Sequence, residues 1–130
     1  MNIKLLQNEI DNTRYWDMSI LDIQTQYFGD EIYIFIENNE ETCFKISFIS
    51  CYKVNYETDA IWRGKGNVKE MRGRQLGYDG QDISLKKYEA DEAFIVCSID
   101  ASIMTMNIVC KDILVEKISM NDNLFFWQDK

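Results

Sequence analysis

Three features of the sequence predict a mainly β fold: short runs of β-branched and aromatic residues, a two-residue alternation within the longest of them, and Gly, Asp and Asn at their borders. The expected architecture is a single domain over residues 1–130. It has about seven or eight mostly antiparallel strands, as a meander, sandwich or strongly curled sheet, with little helix. A chain of 130 residues buries roughly two-thirds of its unfolded surface. With 46% hydrophobic and 13% aromatic residues it has the material for a core, despite a net charge of −8.

The first strand pair is predicted from Asp17 to Phe28, then Gly29-Asp30, then Glu31 to Glu37. Gly at the first position of a two-residue loop suits a type II′ hairpin. That register sets Ile23 opposite Ile36, Thr25 opposite Ile34 and Tyr27 opposite Ile32 on the core face. Gln24 then faces Phe35, and Gln26 faces Tyr33, on the other side. After Asn38-Asn39-Glu40 the run Thr42 to Phe48 alternates again. An odd connection of three or five residues sets Phe44 opposite Ile34 and Ile46 opposite Ile32, whereas an even one turns Lys45 into the core.

In the second half, Ala93 to Ile99 is expected to pair with Ser102 to Ile108 around Asp100-Ala101, with Cys97 opposite Met104 and Ile95 opposite Met106. Further strands are expected at Cys51 to Tyr56, Asp82 to Tyr88 and Ile113 to Ile118. Helix candidates at Lys4 to Ile10, Val68 to Arg72 and the last residues are too short for periodicity to establish. No repeat, low-complexity tract or linker divides the sequence, and proline is absent.

Composition narrows the function classes. The absence of histidine removes Ser-His-Asp and Cys-His nucleophile systems and His-containing zinc sites, which lowers the expectation of an enzyme. Cys43, Cys51, Cys97 and Cys110 lie in apolar or alternating segments without C-x-x-C spacing, and are expected as core thiols. No cofactor or metal ligand set is evident. The N-terminal residues lack the apolar stretch of a secretory signal, and no segment reaches about 18 consecutive apolar residues, so a cytoplasmic protein that does not span a membrane is expected. The acidic balance disfavours nucleic acid as a partner and favours a basic protein.

Several stretches are weighed as sites. Arg63 to Arg74 gathers Arg63, Lys65, Lys69, Arg72 and Arg74 against Glu70 alone, a local +4 that leaves −12 on the rest. This loop suits an oxyanion, but it lacks the P-loop glycine and Ser/Thr, so a solvated loop is the preferred expectation. Asp79-Gly80-Gln81-Asp82 is expected as a turn, since it lacks the ligand alternation of a calcium loop. Tyr15-Trp16 and Leu124 to Trp127 are expected mainly to seal the core, with an exposed anchor for a partner or second copy as the alternative.

Trp16-Asp17-Met18-Ser19-Ile20-Leu21-Asp22-Ile23, followed by alternating strands and Ile46 to Tyr56, carries a resemblance over roughly residues 15 to 56. It resembles small bacterial all-β proteins that often open His-Asp-Ser-x-Ile, with Trp16 here in the place of the His. Some of those proteins are immunity proteins for polymorphic or contact-dependent toxins. The resemblance implies a non-enzymatic protein that occludes a basic toxin. Charge and expected exposure at turns select Glu40, Glu41, Glu89, Asp91 and Glu92 as contact residues. A homodimeric module, using a sheet edge or the aromatic tail, and a small enzyme without a nameable catalytic set are the alternatives.

Overall fold

The computed structural model describes residues 2–59, 67–70, 77–122 and 125–128. A short helix α1 (Ile3–Asp11) precedes six strands: β1 (Ile20–Gln26), β2 (Glu31–Glu37), β3 (Thr42–Thr58), β4 (Asp82–Lys87), β5 (Ile95–Asp100) and β6 (Met104–Ser119). All neighbours are antiparallel, and they form one open sheet in the order β1-β2-β3-β6-β5-β4. The mainly β expectation holds, with six strands among the described residues rather than seven or eight. The run from Cys51 continues β3, and the run from Ile113 continues β6.

The sheet is two meanders, β1-β2-β3 and β4-β5-β6, each ending in its long strand. The 17-residue β3 and 16-residue β6 pair with each other from Thr42↔Ser119 to Thr58↔Met104. This arrangement has an approximate two-fold axis normal to the sheet, which no sequence repeat announces. Each hairpin reaches only half of its long strand: β2 pairs with Cys43 to Ile49, and β5 with Thr105 to Cys110. Both hairpin turns therefore fall near the waist where Cys51 faces Cys110. There β3 is irregular, with Ser50 at φ 55° and a bulge between Cys51 and Lys53, which re-aims the side chains below it.

The predicted faces hold, but the predicted registers do not. In β1-β2 the partners are Ile23↔Ile34 and Thr25↔Ile32, with Gln24↔Tyr33 and Asp22↔Phe35 on the other face. The cause is the turn: Asp30 N–H donates to the Tyr27 carbonyl at 3.1 Å, and the loop takes four residues instead of Gly29-Asp30. In β2-β3 the connection between the last paired residues, Glu37 and Cys43, is the odd five, and it pairs Ile36↔Phe44 and Ile34↔Ile46. In β5-β6 the turn runs through Ala101 to Met104, so that Cys97 faces Ile108 and Ile95 faces Cys110. Every slip is an even number of residues and so leaves the paired side chains on their expected side, but Tyr27, expected on the core face opposite Ile32, falls in the turn and is exposed.

The main core lies on the face carrying Ile32, Ile34, Ile36, Ile46, Phe48, Ile83, Met104, Met106 and Ile108, all buried. Burial of each such side chain stabilises the fold by about 1.5–3 kcal/mol. Helix α1, capped by the Asn2 side chain on the Leu5 N–H, covers this face through Ile10. Gln7 does a second job: its amide donates to the Ile83 carbonyl and accepts from the Leu85 N–H, covering the outer edge of β4 as another strand would. The opposite face carries a smaller cluster of Leu21, Phe35, Cys43 and Phe125, with Trp127 donating to the Leu21 carbonyl at 2.8 Å. Of the terminal aromatics, Tyr15 and Phe125 are buried, as expected for core seals, whereas Trp16 and Phe126 are partly exposed and Leu124 lies outside the described residues.

Candidate partner-binding surface

The five acidic residues selected from the sequence are all exposed, in two separate turns. Glu40 and Glu41 occupy the β2-β3 turn, whose shape comes from the Asn39 side chain accepting the N–H groups of Glu41 and Thr42. Glu89, Asp91 and Glu92 occupy the β4-β5 turn, where the Asp91 carboxylate accepts the Ala93 N–H. The first turn lies level with Ile118 on β6 and the second level with Cys110. Eight residues of strand separate those levels, about 26 Å at roughly 3.3 Å per residue. The fold thus makes two acidic spots, not one patch. Lys69 is exposed in a short 3-10 turn (Val68–Glu70), and Arg63, Lys65, Arg72 and Arg74 lie outside the described residues. Asp79-Gly80, expected as a turn, is instead extended: Tyr78 to Gly80 pairs antiparallel with Asp17 to Ile20, with Asp79 bridging Ser19, and leads into β4.

Sequence reasoning missed a more distinctive feature at the β1-β2 tip. Tyr27 and Phe28 both have positive φ, 54° and 57°, and Gly29 follows at 91°. With the Asp30-to-Tyr27 hydrogen bond, Phe28 and Gly29 take the φ values of the central residues of a type I′ turn, a position that favours Asn-Gly. Bulky L-residues are strained there by about 1–2 kcal/mol each. Neither ring recovers that cost by packing: Tyr27 is 70% exposed and Phe28 is fully exposed. The signal in the sequence was Tyr-Phe directly before Gly-Asp, where turn chemistry calls for small polar residues.

Below the tip, β2 has ended and β3 runs on, which opens a groove of about 450 Å³ bordered by Tyr27, Phe28, Asp30, Tyr52, Lys53 and Val54. The Tyr52 ring continues the aromatic surface across the waist, 5.4 Å from Phe94 and 6.4 Å from Tyr88 of the other hairpin turn. Lys111 stands over Phe94 at 5.5 Å. The band therefore runs from one hairpin turn to its pseudo-symmetric counterpart.

At the waist Asp30, Glu31 and Asp112 stand with Lys53 and Lys111. The β1-β2 hairpin from Ile20 to Glu37 contains Asp22, Asp30, Glu31 and Glu37, and no Lys or Arg. Burial, and then the nearby Asp30 carboxylate, push the Cys51 thiol up to about 11. Burial, with Cys51 and Asp112 adding to it, pushes Cys110 up to about 12, and burial also raises Cys43 and Cys97. All four cysteines are unbridged, three of them buried, so they are protonated core thiols and poor nucleophiles. Tyr33 is held up to about 12 by its hydrogen bond to the Glu31 carboxylate at 2.8 Å. Among the described residues no group of three or more Cys, Asp and Glu is placed to hold a metal ion, and no helix is long and apolar enough to cross a membrane.

Comparison with known proteins places this surface in context. The crystal structure of an uncharacterized protein from Neisseria gonorrhoeae superposes with a TM-score of 0.53 over 78% of this chain and 92% of that one. At 15% identity this is a likeness of fold alone. No curated protein matches the chain. The family model described as immunity protein PIM7 matches residues 2–117, nearly the whole length, and the chain therefore belongs to the PIM7 immunity protein family.

Proposed function

We propose that this immunity protein works without catalysis, in the cytoplasm, by binding a basic toxin protein and covering the surface that the toxin needs. The supporting observation is where the exposed aromatic side chains sit. Tyr27, Phe28 and Tyr52 stand on a projecting turn and a strand edge, not at the bottom of a cleft with converging polar groups. Such rings suit a protein interface, because large rigid side chains bury much surface with little entropy to lose. The thiols, the residues nearest to nucleophiles in a histidine-free chain, are shifted away from reactivity.

The acidic surface fits this function in a second way. A net charge of −8 accelerates encounter with a basic partner and weakens with salt. Co-expression of this chain with each toxin domain of the producing strain tests the proposal: suppression of killing by one toxin, with a stable complex of the two purified proteins, is expected. Failure to suppress or bind any of them refutes it, and so does suppression without complex formation.

A further inference from the structure

We infer that the Tyr27–Asp30 tip is the anchor of the toxin interface, and that its counterpart on the toxin is an apolar recess rimmed by Lys or Arg. This inference rests on the immunity function proposed above and names the site and partner chemistry for it. The argument starts from a conflict between local preference and observed conformation. A type I′ turn favours Asn, Asp or Gly at its first central position, yet Phe28 stands there and Tyr27 before it is also at positive φ. Strain of this kind persists where the surrounding structure imposes it, and it clusters at functional sites. Here the protein gains little packing from Tyr27, which is mostly exposed, and none from Phe28, which is wholly so. The outcome is an aromatic tip on a two-stranded support, with its backbone already set in one conformation. Pre-setting of that kind lowers the ordering cost of binding.

Three occupants can cover such a tip: a second copy of the chain, a membrane, or another protein. The charge on its support separates them. The hairpin from Ile20 to Glu37 carries four carboxylates and no cation, with Asp30 in the turn and Glu31 next to it. Among the described residues Lys53 lines the groove beneath, and Lys45 of β3 stands 4.1 Å over the Tyr33 ring farther along the hairpin. A second copy would bring the same anionic hairpin and a net charge of −8, and an anionic membrane would repel both. A basic protein is attracted by both. Its recess takes Phe28, its walls meet Tyr27 and Tyr52, and its rim cations pair with Asp30 and Glu31. The open side of the groove along Tyr52 and Val54 leaves room for the wall of that recess.

The test is titration calorimetry of the purified full chain with the purified toxin domain whose killing it suppresses, comparing wild type, Phe28→Ala, Phe28→Asn, the pair Asp30→Asn with Glu31→Gln, and Leu5→Ala. Leu5 is an exposed apolar residue on α1 and serves as the control. Expected are a loss of about 30-fold or more in affinity for both Phe28 variants, the size of an interface hot spot. The double carboxylate variant is expected to show a shallower salt dependence, and Leu5→Ala to bind within twofold of wild type. Melting curves accompany each variant, and Phe28→Asn is expected to be more stable than wild type, so that a binding loss is not a folding loss. Wild-type binding with both Phe28 variants within threefold of it overturns this inference and leaves the immunity function standing. Absence of wild-type binding overturns both. Loss in the Phe28 variants of self-association measured by sedimentation, or of binding to phosphatidylglycerol-containing vesicles, together with unaltered toxin affinity, overturns it in favour of the second copy or the membrane.

Discussion

Replacing Phe28 with Asn separates strain from packing at the hairpin tip. The turn already has Gly29 at the second central position, so the substitution creates the Asn-Gly pair that type I′ turns favour. Phe28 at φ 57° and ψ 28° bears a left-handed penalty of about 1–2 kcal/mol, much of which Asn avoids. The ring is fully exposed, so its removal sacrifices no burial. The net expectation is a stabilisation of about 1 kcal/mol. Unfolding entropy of roughly 2.1 cal/mol/K per residue gives about 0.27 kcal/mol/K for 130 residues, which translates into a Tm higher by about 4 °C. Differential scanning calorimetry of the two proteins at equal concentration reads this directly. A Tm that is unchanged or lower refutes the reasoning, because it means that Phe28 contributes stabilising contacts in the free protein.

Gln7→Ala removes both of its bonds along the β4 edge, leaving the Leu85 N–H without this acceptor and the Ile83 carbonyl with the 3.5 Å bond from the Tyr15 hydroxyl; a loss of about 1–3 kcal/mol in urea unfolding is expected, with faster amide exchange at Leu85. Gly80→Ala places a Cβ 2.5 Å from the Tyr15 carbonyl oxygen, at a point where Gly80 is already tied to Met18 and Asp17 by 2.8 Å backbone bonds and cannot easily retreat. It is expected to cost about 1–3 kcal/mol, measured by thermal melting. Alkaline pH provides a third check. The Cys51 and Cys110 thiols are held above the unfolded value of 9.0, so their stabilising contribution is complete below pH 9 and is lost as pH rises towards 11 and 12. Stability is therefore expected to fall across that window, and Cys51→Ala to flatten the slope.

The way in which this chain was legible follows from the physics of each feature. Alternation in Glu31 to Glu37 identified β2 to the residue and named its core face, because burial of Ile32, Ile34 and Ile36 is a one-dimensional pattern with a period of two. The same parity argument required an odd β2-β3 connection, and the structure has one of five. The thiols were readable as core residues from their apolar flanks. Register was not readable, because a slip of two or four residues leaves the pattern of faces unchanged and only the turn conformations at Tyr27–Asp30 and Ala101–Met104 discriminate.

The site shows the same division. Charge and turn composition marked Glu40, Glu41, Glu89, Asp91 and Glu92 as exposed, which depends on local polarity, but the distance between the two turns follows from pairing of β3 with β6. The merging of four expected strands into two long ones was likewise a tertiary outcome. Ser50 and the polar pair Lys111-Asp112 interrupt the local pattern, while the ladder between β3 and β6 carries both chains through the interruption. The sequence by itself determined strand identity, core side and acidic character, since these depend on residue type and period. Only the tertiary structure decided the registers, the two-fold arrangement of the meanders and the bare aromatic tip. Each of these depends on backbone conformation at one or two residues, where neighbouring strands outweigh local preference.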